Sequence, residues 1–250
     1  MTPGRQGGAT AAGAESAPAR EARDRGDELL CARARGDAPD GGPRAACPDH
    51  LPYDRDDDLL APFAPGEAPR ARLYRPLAPA IVLGRASRPE RELHVEACLA
   101  DAIPLYRRRG GGCAVLLDPG CLVLSLALPL PGLGGIHEAY DRITSWLIEG
   151  LADLGIWGVR RRDACDLALG DRKIGGACIY RRSGLLHYAA ALLEQPRVDR
   201  MERYLQHPPR EPRYRRGRTH REFVGRLGPL GPLERIREAL APATLFRTGR

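Results

Sequence analysis

The sequence predicts an α/β (α+β) fold, in which mixed, mostly antiparallel sheets are flanked by helices. Short apolar runs alternate with helical periodicities from about residue 72 onward. Two pairs of apolar runs are separated by the turn sequences DPG and GDR, and tight turns of this kind connect antiparallel strands. One long amphipathic helix is expected over residues 136–155, where apolar side chains recur at three- and four-residue steps.

Strands are predicted at four places along the chain. Residues 78–84 form an apolar run that ends at a glycine, which favours a buried strand. Residues 113–117 and 121–128 predict one hairpin that turns at DPG, because proline presets φ and glycine permits positive φ. Residues 166–180 predict a second hairpin that turns at GDR, and residues 184–193 predict a further strand.

Helices are predicted between these strands and after them. Residues 89–102 are expected to form one helix that has Pro89 near its start, and residues 136–155 a longer helix that Gly155 ends. Residues 197–205 predict another helix. Further on, Thr219 and Glu222 have the spacing of a capping box, and Pro232 marks a helix start.

The chain divides into three parts by composition. Residues 1–20 contain Gly, Ala, Pro and Arg with almost no large apolar side chains, which predicts a disordered tail. Residues 21–70 predict a short helix near 27–34 and then a long loop or insertion that is rich in Pro, Gly and Asp. Residues 71–250 are expected to form one domain.

The composition excludes several classes of protein. The 250 residues are 43% hydrophobic and 28% charged, which is ordinary for a globular domain. No apolar run approaches the roughly 20 residues that a membrane helix needs, and the N-terminus lacks the apolar core of a secretory signal. We therefore expect a cytoplasmic protein that does not bind a membrane.

Metal and nucleic-acid binding are not expected either. The seven cysteines are odd in number and include no CxxC pair, so neither a disulfide framework nor a zinc site is predicted. The net charge of +7 is compatible with nucleic acid, nucleotides or an acidic protein partner. Only 5% of residues are aromatic, and they do not alternate with basic residues, so a nucleic-acid partner is not predicted.

Lys173 is the only lysine among the 39 Lys and Arg residues of the chain. Asparagine is absent as well, so a GC-rich genome would explain a general shift toward arginine, and chance would explain the exception. Arginine would nevertheless serve at any position that needs only a solvated positive charge. A compact ammonium with a shiftable pKa differs from a planar guanidinium. We therefore predict a specific chemical role for Lys173.

A basic, glycine-rich segment, YRRRGGGCAVLLDPG, spans residues 106–120. Glycines let a phosphate or an acyl chain approach the backbone closely, and exposed N–H groups there bind anions. Arg107 and Arg108 could donate bidentate hydrogen bonds to phosphate oxygens. The segment is neither a Walker A loop nor GxGxxG, and a merely flexible basic loop is the alternative that it leaves open.

Three segments in order carry a resemblance to a known family. They are RRRGGGCAVLLDPGC (107–121), GDRKIGGAC (170–178) and LHYAAALL (186–193). With them the chain resembles the lipoate–protein ligase A family, within the wider group of biotin ligases, lipoate ligases and octanoyltransferases. The similarity covers roughly residues 72–227. It implies a class II biotin/lipoyl-synthetase-like catalytic domain, without the C-terminal accessory domain that some ligases carry.

The resemblance implies a reaction and its residues. Family ligases activate lipoate or octanoate with ATP, supplied as its Mg²⁺ complex, and pass the acyl group to a lysine of an acceptor domain. Lys173 matches the catalytic lysine, whose ammonium would hold the acyl carboxylate and the α-phosphate together. Substrate and ATP binding would fall to Arg107, Arg108, Gly110, Gly111, Gly112, Ala114, Val115, Asp118, Gly120, Gly176, Ala177 and His187.

The resemblance also implies partners. The acceptor would be a lipoyl domain of a 2-oxoacid dehydrogenase subunit or a glycine-cleavage H-type protein. Because the accessory domain is missing from the pattern, either a separate accessory chain is a further partner or the accessory domain is dispensable.

The chain departs from the family pattern at several positions. Gly110 stands for the family serine, Cys113 for its third glycine and Leu117 for its histidine. The family HHGT has become His187-Tyr188-Ala189-Ala190, Cys121 stands for an asparagine and Ile179 for a glutamine.

Two alternatives stay open from the sequence. One is an octanoyl or lipoyl transferase that needs no ATP and uses a cysteine thioester, for which Cys165 and Cys178 are candidates near Lys173. The other is a catalytically degenerate member that binds a lipoyl domain or an acyl ligand.

Overall fold

The computed structural model describes residues 50–132, 134–163, 165–182 and 184–245. The strands are β1 (Leu51–Pro52), β2 (Arg70–Tyr74), β3 (Ala80–Leu83), β4 (Leu105–Arg107), β5 (Val115–Leu117), β6 (Cys121–Pro129), β7 (Val159–Arg162), β8 (Asp166–Leu169), β9 (Arg172–Arg182) and β10 (Leu185–Leu193). The helices are α1 (Pro89–Glu92), α2 (Val95–Ala100), α3 (Ile136–Asp153), α4 (Val198–Tyr204), α5 (His220–Phe223) and α6 (Leu233–Ala239). Short 3₁₀ helices span Asp57–Leu60 and Pro242–Thr244.

The strands form two sheets. The larger has the order β2-β6-β10-β9-β8-β7, and every neighbouring pair in it is antiparallel. The smaller has the order β1-β4-β3-β5, with parallel β1–β4 and β3–β4 pairs and an antiparallel β3–β5 pair. The predicted fold class, mostly antiparallel sheets with flanking helices, is confirmed.

The main core lies between the larger sheet and α3. Alternate residues of β6, such as Leu122 and Leu124, share one apolar cluster with Ile143 and Leu147 of α3. Apart from Pro129, β6 is buried throughout, because it is an interior strand covered on both faces. This packing fixes β6, and β10 pairs with β6 on one side and with β9 on the other.

The predicted hairpin over residues 113–128 is wrong. β5 pairs with β3 in the smaller sheet, whereas β6 pairs with β2 and β10 in the larger one. The DPG turn therefore passes from one sheet to the other. Its Gly120 lies so close to Gln195 that a Cβ would be 2.0 Å from the Gln195 carbonyl oxygen, and Gln195 N donates to Gly120 O at 2.9 Å.

The predicted single helix over residues 89–102 is divided into α1 and α2. Leu93 between them is extended and forms an antiparallel bridge with Leu205. His94 N donates to Tyr204 O, and Gln206 N donates to Glu92 O, each at 2.9 Å. Backbone pairing with a segment over a hundred residues away thus interrupts the helix.

The remaining predicted elements are confirmed with small changes of bounds. The helix 136–155 is α3, the hairpin 166–180 is β8–β9, the strand 184–193 is β10 and the helix 197–205 is α4. Thr219 and Glu222 form the capping box of α5. β2, β4 and β7 were not predicted, since they are short and carry charged residues. The predicted tail 1–20 and helix 27–34 lie outside the described residues.

The segment before residue 70 also packs against the sheets. β1 pairs with β4, and Leu59 and Leu60 pack against Ala127 and Leu185.

Within the described part of the chain, no helix is long and apolar enough to cross a membrane.

Candidate active site

Lys173 lies near the start of β9, beside β8. Its backbone is held on both sides, since it pairs with Ala168 of β8 and its carbonyl accepts a hydrogen bond from Gly225 N at 2.8 Å. The side chain is half-buried, and Nζ donates to Asp166 Oδ1 at 2.6 Å. The only lysine is therefore an oriented, paired ammonium rather than a solvated charge.

Asp166 holds this ammonium from the first position of β8. It is 4% exposed, and its second oxygen, Oδ2, accepts a hydrogen bond from the Tyr214 hydroxyl at 3.1 Å. Burial, and then the nearby Asp166 charge, raise the pKa of Tyr214. The phenol therefore stays protonated and can keep donating to the carboxylate. The Tyr214 ring packs on Phe223, with ring centroids 5.0 Å apart.

The strand β9 leaves room for the lysine side chain. A Cβ on Gly176 would lie 3.1 Å from Lys173 Nζ and 3.2 Å from Lys173 Cε. The next residue, Ala177, donates from its N–H to Cys165 O at 2.9 Å and so fixes the chain just before Asp166. Of the two further predicted residues of this motif, Gly176 thus lies against the Lys173 side chain, and Ala177 pairs with Cys165 next to Asp166.

The glycine-rich loop lies against the same strand. A Cβ on Gly110 would lie 2.7 Å from Cys178 Sγ and 3.3 Å from Ile179 O, so a larger residue here would require the Cys178 side chain to move. Gly112 has a φ of +90°, which favours glycine as well. No heavy atom lies within 4 Å of a Cβ built on Gly111. The structure therefore brings the loop and the lysine motif together on β9.

Both predicted arginines hydrogen-bond to protein acceptors. Arg108 donates to Val82 O at 2.9 Å, to Gly111 O at 2.7 Å and to Cys113 O at 2.8 Å, so it shapes the glycine loop. Arg107 donates to Gly84 O at 2.8 Å and to Ser87 O at 3.0 Å. Their expected contact with phosphates stays a prediction. A cleft of about 380 Å³ beside them is lined by His50, Pro52, Tyr53, Asp57, Arg107, Arg108 and Arg109.

A buried Ser–Glu pair supports the loop from the other side. Glu92 Oε2 accepts from Ala114 N at 2.5 Å and from Ser87 Oγ at 3.0 Å. The Ser87 hydroxyl also lies 3.2 Å from Gly112 O. Ser87 and Glu92 are each 5% exposed. The Glu92 carboxylate thereby positions Ala114. Ser87 and Glu92 were not predicted from the sequence, where the one available signal is a glutamate near the start of a helix.

Three predicted residues lie in or next to the turn between the two sheets. Asp118 Oδ1 accepts a hydrogen bond from Gly120 N at 2.8 Å, and Asp118 is 1% exposed. Val115 begins β5 just before this turn. Their described contacts fix the path of the chain from the glycine loop to β6.

His187 lies in a buried polar cluster on β10. Its Nε2 is 4.0 Å from Asp56 Oδ2, which accepts a hydrogen bond from Ser125 Oγ at 2.5 Å. Burial lowers the pKa of His187, and the Asp56 carboxylate opposes this shift. His187 thus lies beside the segment before β2, but its Nε2 has no hydrogen-bond partner among the described residues. Its predicted substrate contact stays a prediction.

The two candidate thiols have different charged neighbours: Cys165 lies near Asp166 and Lys173, and Cys178 lies near Arg108 and Asp56. Burial raises the pKa of Cys165, the Asp166 carboxylate raises it further, and Lys173 opposes these effects. Burial also raises the pKa of Cys178, against the opposing effect of Arg108. A nucleophilic cysteine needs the reverse shift, because the thiolate is the reactive form.

Asp166 and Tyr214, like Ser87 and Glu92, are residues of this site that the sequence did not single out. Asp166 stands seven residues before Lys173, at the start of a predicted hairpin, so hairpin pairing was the available signal. Tyr214 comes from the segment after α4, and no spacing connects it with β9. Cys113 Sγ lies 3.9 Å from Arg210 O of the same segment, which therefore borders both Lys173 and the glycine loop.

The fold and this site define a class of protein: a mostly antiparallel α+β domain with a glycine-rich loop packed against a lysine-bearing strand. Residues 53–241 match the lipoyl protein ligase A/B catalytic domain family. The match covers more than half of the chain, which belongs to this family.

Two curated relatives are similar over part of the chain. A protein of Aeropyrum pernix provisionally named lipoate-protein ligase A is 35% identical over 119 residues, which are 47% of this chain and 44% of that protein. An octanoyltransferase of Alcanivorax borkumensis is 31% identical over 115 residues, which are 46% of this chain and 45% of that enzyme. The chain thus matches less than half the length of each relative.

Two solved structures share the fold. A lipoate-protein ligase A bound with ATP has a TM-score of 0.64 at 23% identity, with 76% of each chain covered. A bi-partite lipoate protein ligase from Thermoplasma acidophilum, studied with its E2 lipoyl domain, has a TM-score of 0.60 at 24% identity, with 72% of this chain and 71% of that chain covered. At this identity the likeness establishes the fold.

Proposed function

We propose that this chain is the catalytic part of a lipoate–protein ligase. It joins lipoate or octanoate to ATP, forms the acyl-adenylate with release of pyrophosphate, and transfers the acyl group to a lysine amine of a lipoyl acceptor domain with release of AMP. The observation that carries the proposal is the single lysine, held by the buried Asp166 next to the glycine loop.

In this proposal Lys173 supplies the electrostatic stabilisation. Its ammonium is held by Asp166, which also accepts a hydrogen bond from Tyr214, and this supports the role. A preoriented charge stabilises the negative charge that develops between an acyl carboxylate and the α-phosphate. It acts again when the amine attacks the acyl-adenylate and AMP departs. A guanidinium is broader and forked, and it would not place one compact charge at the same point beside Asp166.

The glycine loop would let the substrates approach the backbone. Gly111 and Gly112 carry no Cβ, so their peptide groups are accessible to an acyl chain or to phosphate oxygens. Mg²⁺ would enter with ATP, since it is commonly held by one or two carboxylates together with substrate phosphates. No group of three His, Cys, Asp or Glu side chains suited to a metal ion occurs in the described part of the chain.

The partners follow from the same proposal. The acceptor is a lipoyl domain of a 2-oxoacid dehydrogenase subunit or a glycine-cleavage H-type protein. A bi-partite ligase and an E2 lipoyl domain belong to the system from which one structural neighbour comes, which supports an acceptor domain and a separate accessory chain here. The cytoplasmic location and the division of the chain at residue 71 stay predictions.

A cysteine-dependent octanoyl or lipoyl transferase is the second candidate. The similarity to the octanoyltransferase of Alcanivorax borkumensis, which is 31% identical over 115 residues, favours this candidate. The raised pKa values of Cys165 and Cys178 oppose it, since both thiols stay protonated at neutral pH. A catalytically degenerate lipoyl-domain or acyl-binding protein is the third candidate, and any acyl transfer excludes it.

The test measures products by intact mass. The protein is incubated with lipoate or octanoate, ATP and Mg²⁺, with and without a purified lipoyl domain. We expect acyl-adenylate in the first case and a singly acylated domain in the second. Lys173→Arg is expected to lower acyl-adenylate formation roughly a hundredfold or more, the scale of a lost electrostatic group.

The controls separate the candidates. Arg235→Lys makes the reverse exchange on the exposed face of α6 and should leave the rate unchanged. Acylation from an octanoyl carrier protein without ATP, lost in Cys165→Ser or Cys178→Ser, would replace the ligase by the transferase. Full activity of Lys173→Arg with ATP would remove the role given to the lysine.

A further inference from the structure

The strand β7 forms one edge of the larger sheet. It pairs with β8 along its whole length, Val159–Arg162, and β8 is its only partner among the described strands. Alternate backbone N–H and C=O groups on the other side of an edge strand are unpaired and can pair with another chain. Strand addition at such an edge is a common mode of protein recognition.

Three consecutive arginines occupy this edge strand. Arg160, Arg161 and Arg162 are all exposed. Arg161 pairs with Asp141 of α3, whereas Arg160 has no ion pair within the described residues. The Arg162 guanidinium lies 5.8 Å from the centre of the Tyr214 ring. The strand therefore presents positive charge that the neighbouring side chains only partly neutralise.

An exposed tryptophan precedes the arginines. Trp157 is 72% exposed, and Leu169 on the adjacent strand is 37% exposed. Gly158 lies between Trp157 and β7 and has a φ of +80°. A Cβ placed on Gly158 would lie 3.6 Å from the Leu169 side chain, so Leu169 lies beside the residue that follows Trp157. Tryptophan and arginine are enriched at protein interfaces, where they contribute most of the binding free energy.

This edge leads directly to Lys173. β7 ends at Arg162, the chain turns, and β8 begins with Asp166, whose carboxylate holds the lysine ammonium. Arg162 also borders Tyr214, which donates to the same carboxylate. A protein bound along β7 would therefore have its nearest end beside the site at which the acyl group is transferred.

We propose that the β7 surface, formed by Trp157, Arg160, Arg162 and the unpaired edge of β7, is the docking site for an acidic face of the acceptor domain. The inference rests on the proposed function for the identity of the occupant. The charge of the surface and its continuity with Lys173 carry the inference beyond that function. Positive charge on an edge strand also prevents self-association, and in that case the arginines would contribute nothing to acceptor binding.

The experiment measures binding and chemistry separately. The probe is a purified E2 lipoyl domain of net negative charge with an unmodified lysine. Its affinity for the full chain is measured by calorimetry at two salt concentrations, and acyl-adenylate formation is measured without the domain. The variants are Arg160→Glu and Trp157→Ala, with Arg160→Gln as a milder change. Arg235→Glu is the matched control, because Arg235 is an exposed arginine of α6.

We expect Arg160→Glu and Trp157→Ala to weaken domain binding roughly five- to tenfold each, the range for interface anchors and charged pairs. Arg160→Gln should weaken it less, and Arg235→Glu should change it less than twofold. Acyl-adenylate formation should be unchanged in all four variants, which also shows that they fold. Hydrogen exchange should show new protection of backbone amides within residues 159–162 when the domain is bound.

Two outcomes overturn the inference. If Arg160→Glu and Trp157→Ala bind the domain with wild-type affinity and acylate it at wild-type rates, the β7 surface is not the docking site. Its arginines would then only protect the edge strand from self-association. Equal weakening by Arg235→Glu would show that net charge, not the β7 surface, attracts the domain. A wild-type chain that binds the domain but forms no acyl-adenylate would contradict the proposed function, while the comparison of affinities would still decide where the domain docks.

Discussion

The Asp166 carboxylate connects Lys173 to Tyr214 and so decides where the lysine ammonium lies. One oxygen accepts from Lys173 Nζ and the other from the Tyr214 hydroxyl, at 2.6 and 3.1 Å. A buried carboxylate with both oxygens occupied keeps one orientation, and it passes this orientation to the lysine. Lys173 alone would be a flexible side chain on an exposed strand end.

Removing this charge should therefore misplace the lysine. We expect Asp166→Asn to lower acyl-adenylate formation roughly ten- to a hundredfold, as expected for a displacement of about 1 Å in a reacting group. Tyr214→Phe keeps the ring on Phe223 and loses one hydrogen bond, so a smaller loss of roughly two- to tenfold is expected. Initial rates of pyrophosphate release check both. Asp199→Asn, at an exposed ion pair with Arg197, is the control, and equal losses in all three would contradict the assignment.

Substitution by alanine should change the stability of the protein at one of two neighbouring glycines and not at the other. Gly110→Ala places a Cβ 2.7 Å from Cys178 Sγ, whereas Gly111→Ala meets no heavy atom within 4 Å. We expect Gly110→Ala to destabilise the protein by about 1–3 kcal/mol, as for an overpacked contact, and to lower activity. Gly111→Ala should change the free energy of unfolding by less than about 0.5 kcal/mol.

Urea unfolding measures both glycine variants, and acyl-adenylate assays accompany it. Cys178→Ala removes the sulfur that Gly110→Ala meets, so the double variant should recover part of the lost stability. A Gly110→Ala protein as stable and active as the wild type would show that the loop does not rest on β9.

At the scale of elements, the interruption between α1 and α2 places Glu92 in the core. The extended Leu93 directs the chain into pairing with the segment 204–206, and Glu92 points to the glycine loop instead of to solvent. The helical period of residues 89–102 does not reveal the interruption, because the contacts that stabilise it come from residues 114 and 205. The break in the helix thus builds the support of the loop.

Glu92→Gln tests that support. The amide keeps one acceptor oxygen but sets an NH₂ group against one of the donors, Ala114 N or Arg88 N. We expect a loss of about 1–3 kcal/mol in the free energy of unfolding, the cost of leaving a buried polar group unpaired. Chemical denaturation checks this, with the exposed Glu96→Gln of α2 as the control. An unchanged midpoint would mean that the loop does not depend on Glu92.

At the scale of the whole molecule, buried histidines make the fold sensitive to acid. His220 is 9% exposed and lies 4.0 Å from Glu202, with Arg215, His207 and Lys173 also near. Burial, and then Arg215, lower the pKa of His220 to about 4, from the ordinary histidine value of about 6.5. Below pH 6.5 the unfolded chain binds a proton that the folded chain does not bind until about pH 4. Stability is therefore lost as the pH falls through this window.

His220→Gln should reduce this pH dependence. We expect the loss of unfolding free energy between pH 7.5 and 4.5 to shrink by on the order of 2 kcal/mol, because one proton uptake by the unfolded state is removed. Urea unfolding at the two pH values measures it. His94→Gln, at an exposed histidine, should leave the dependence as in the wild type. Identical slopes in wild type and His220→Gln would contradict the buried neutral histidine.

The limits of the domain also belong to this scale. The sequence predicts a compact part that begins at residue 71, from the loss of Pro, Gly and Asp after that point. The structure adds β1 and the 3₁₀ helix Asp57–Leu60 to the packing of the described chain. Two leucines and a two-residue strand are too little for a local pattern, so only their contacts with distant strands reveal them.

The sequence by itself determined the fold class, α3, the β8–β9 hairpin, the capping box and the family, and it singled out Lys173 as the residue to test. Each of these is encoded locally, by a period, a turn or a motif within a few residues. Only the tertiary structure decided that β5 and β6 belong to different sheets, that Leu93 divides a helix, and that Asp166 and Tyr214 hold the lysine. Those outcomes depend on contacts between segments far apart in the chain, whose free energies no local pattern contains.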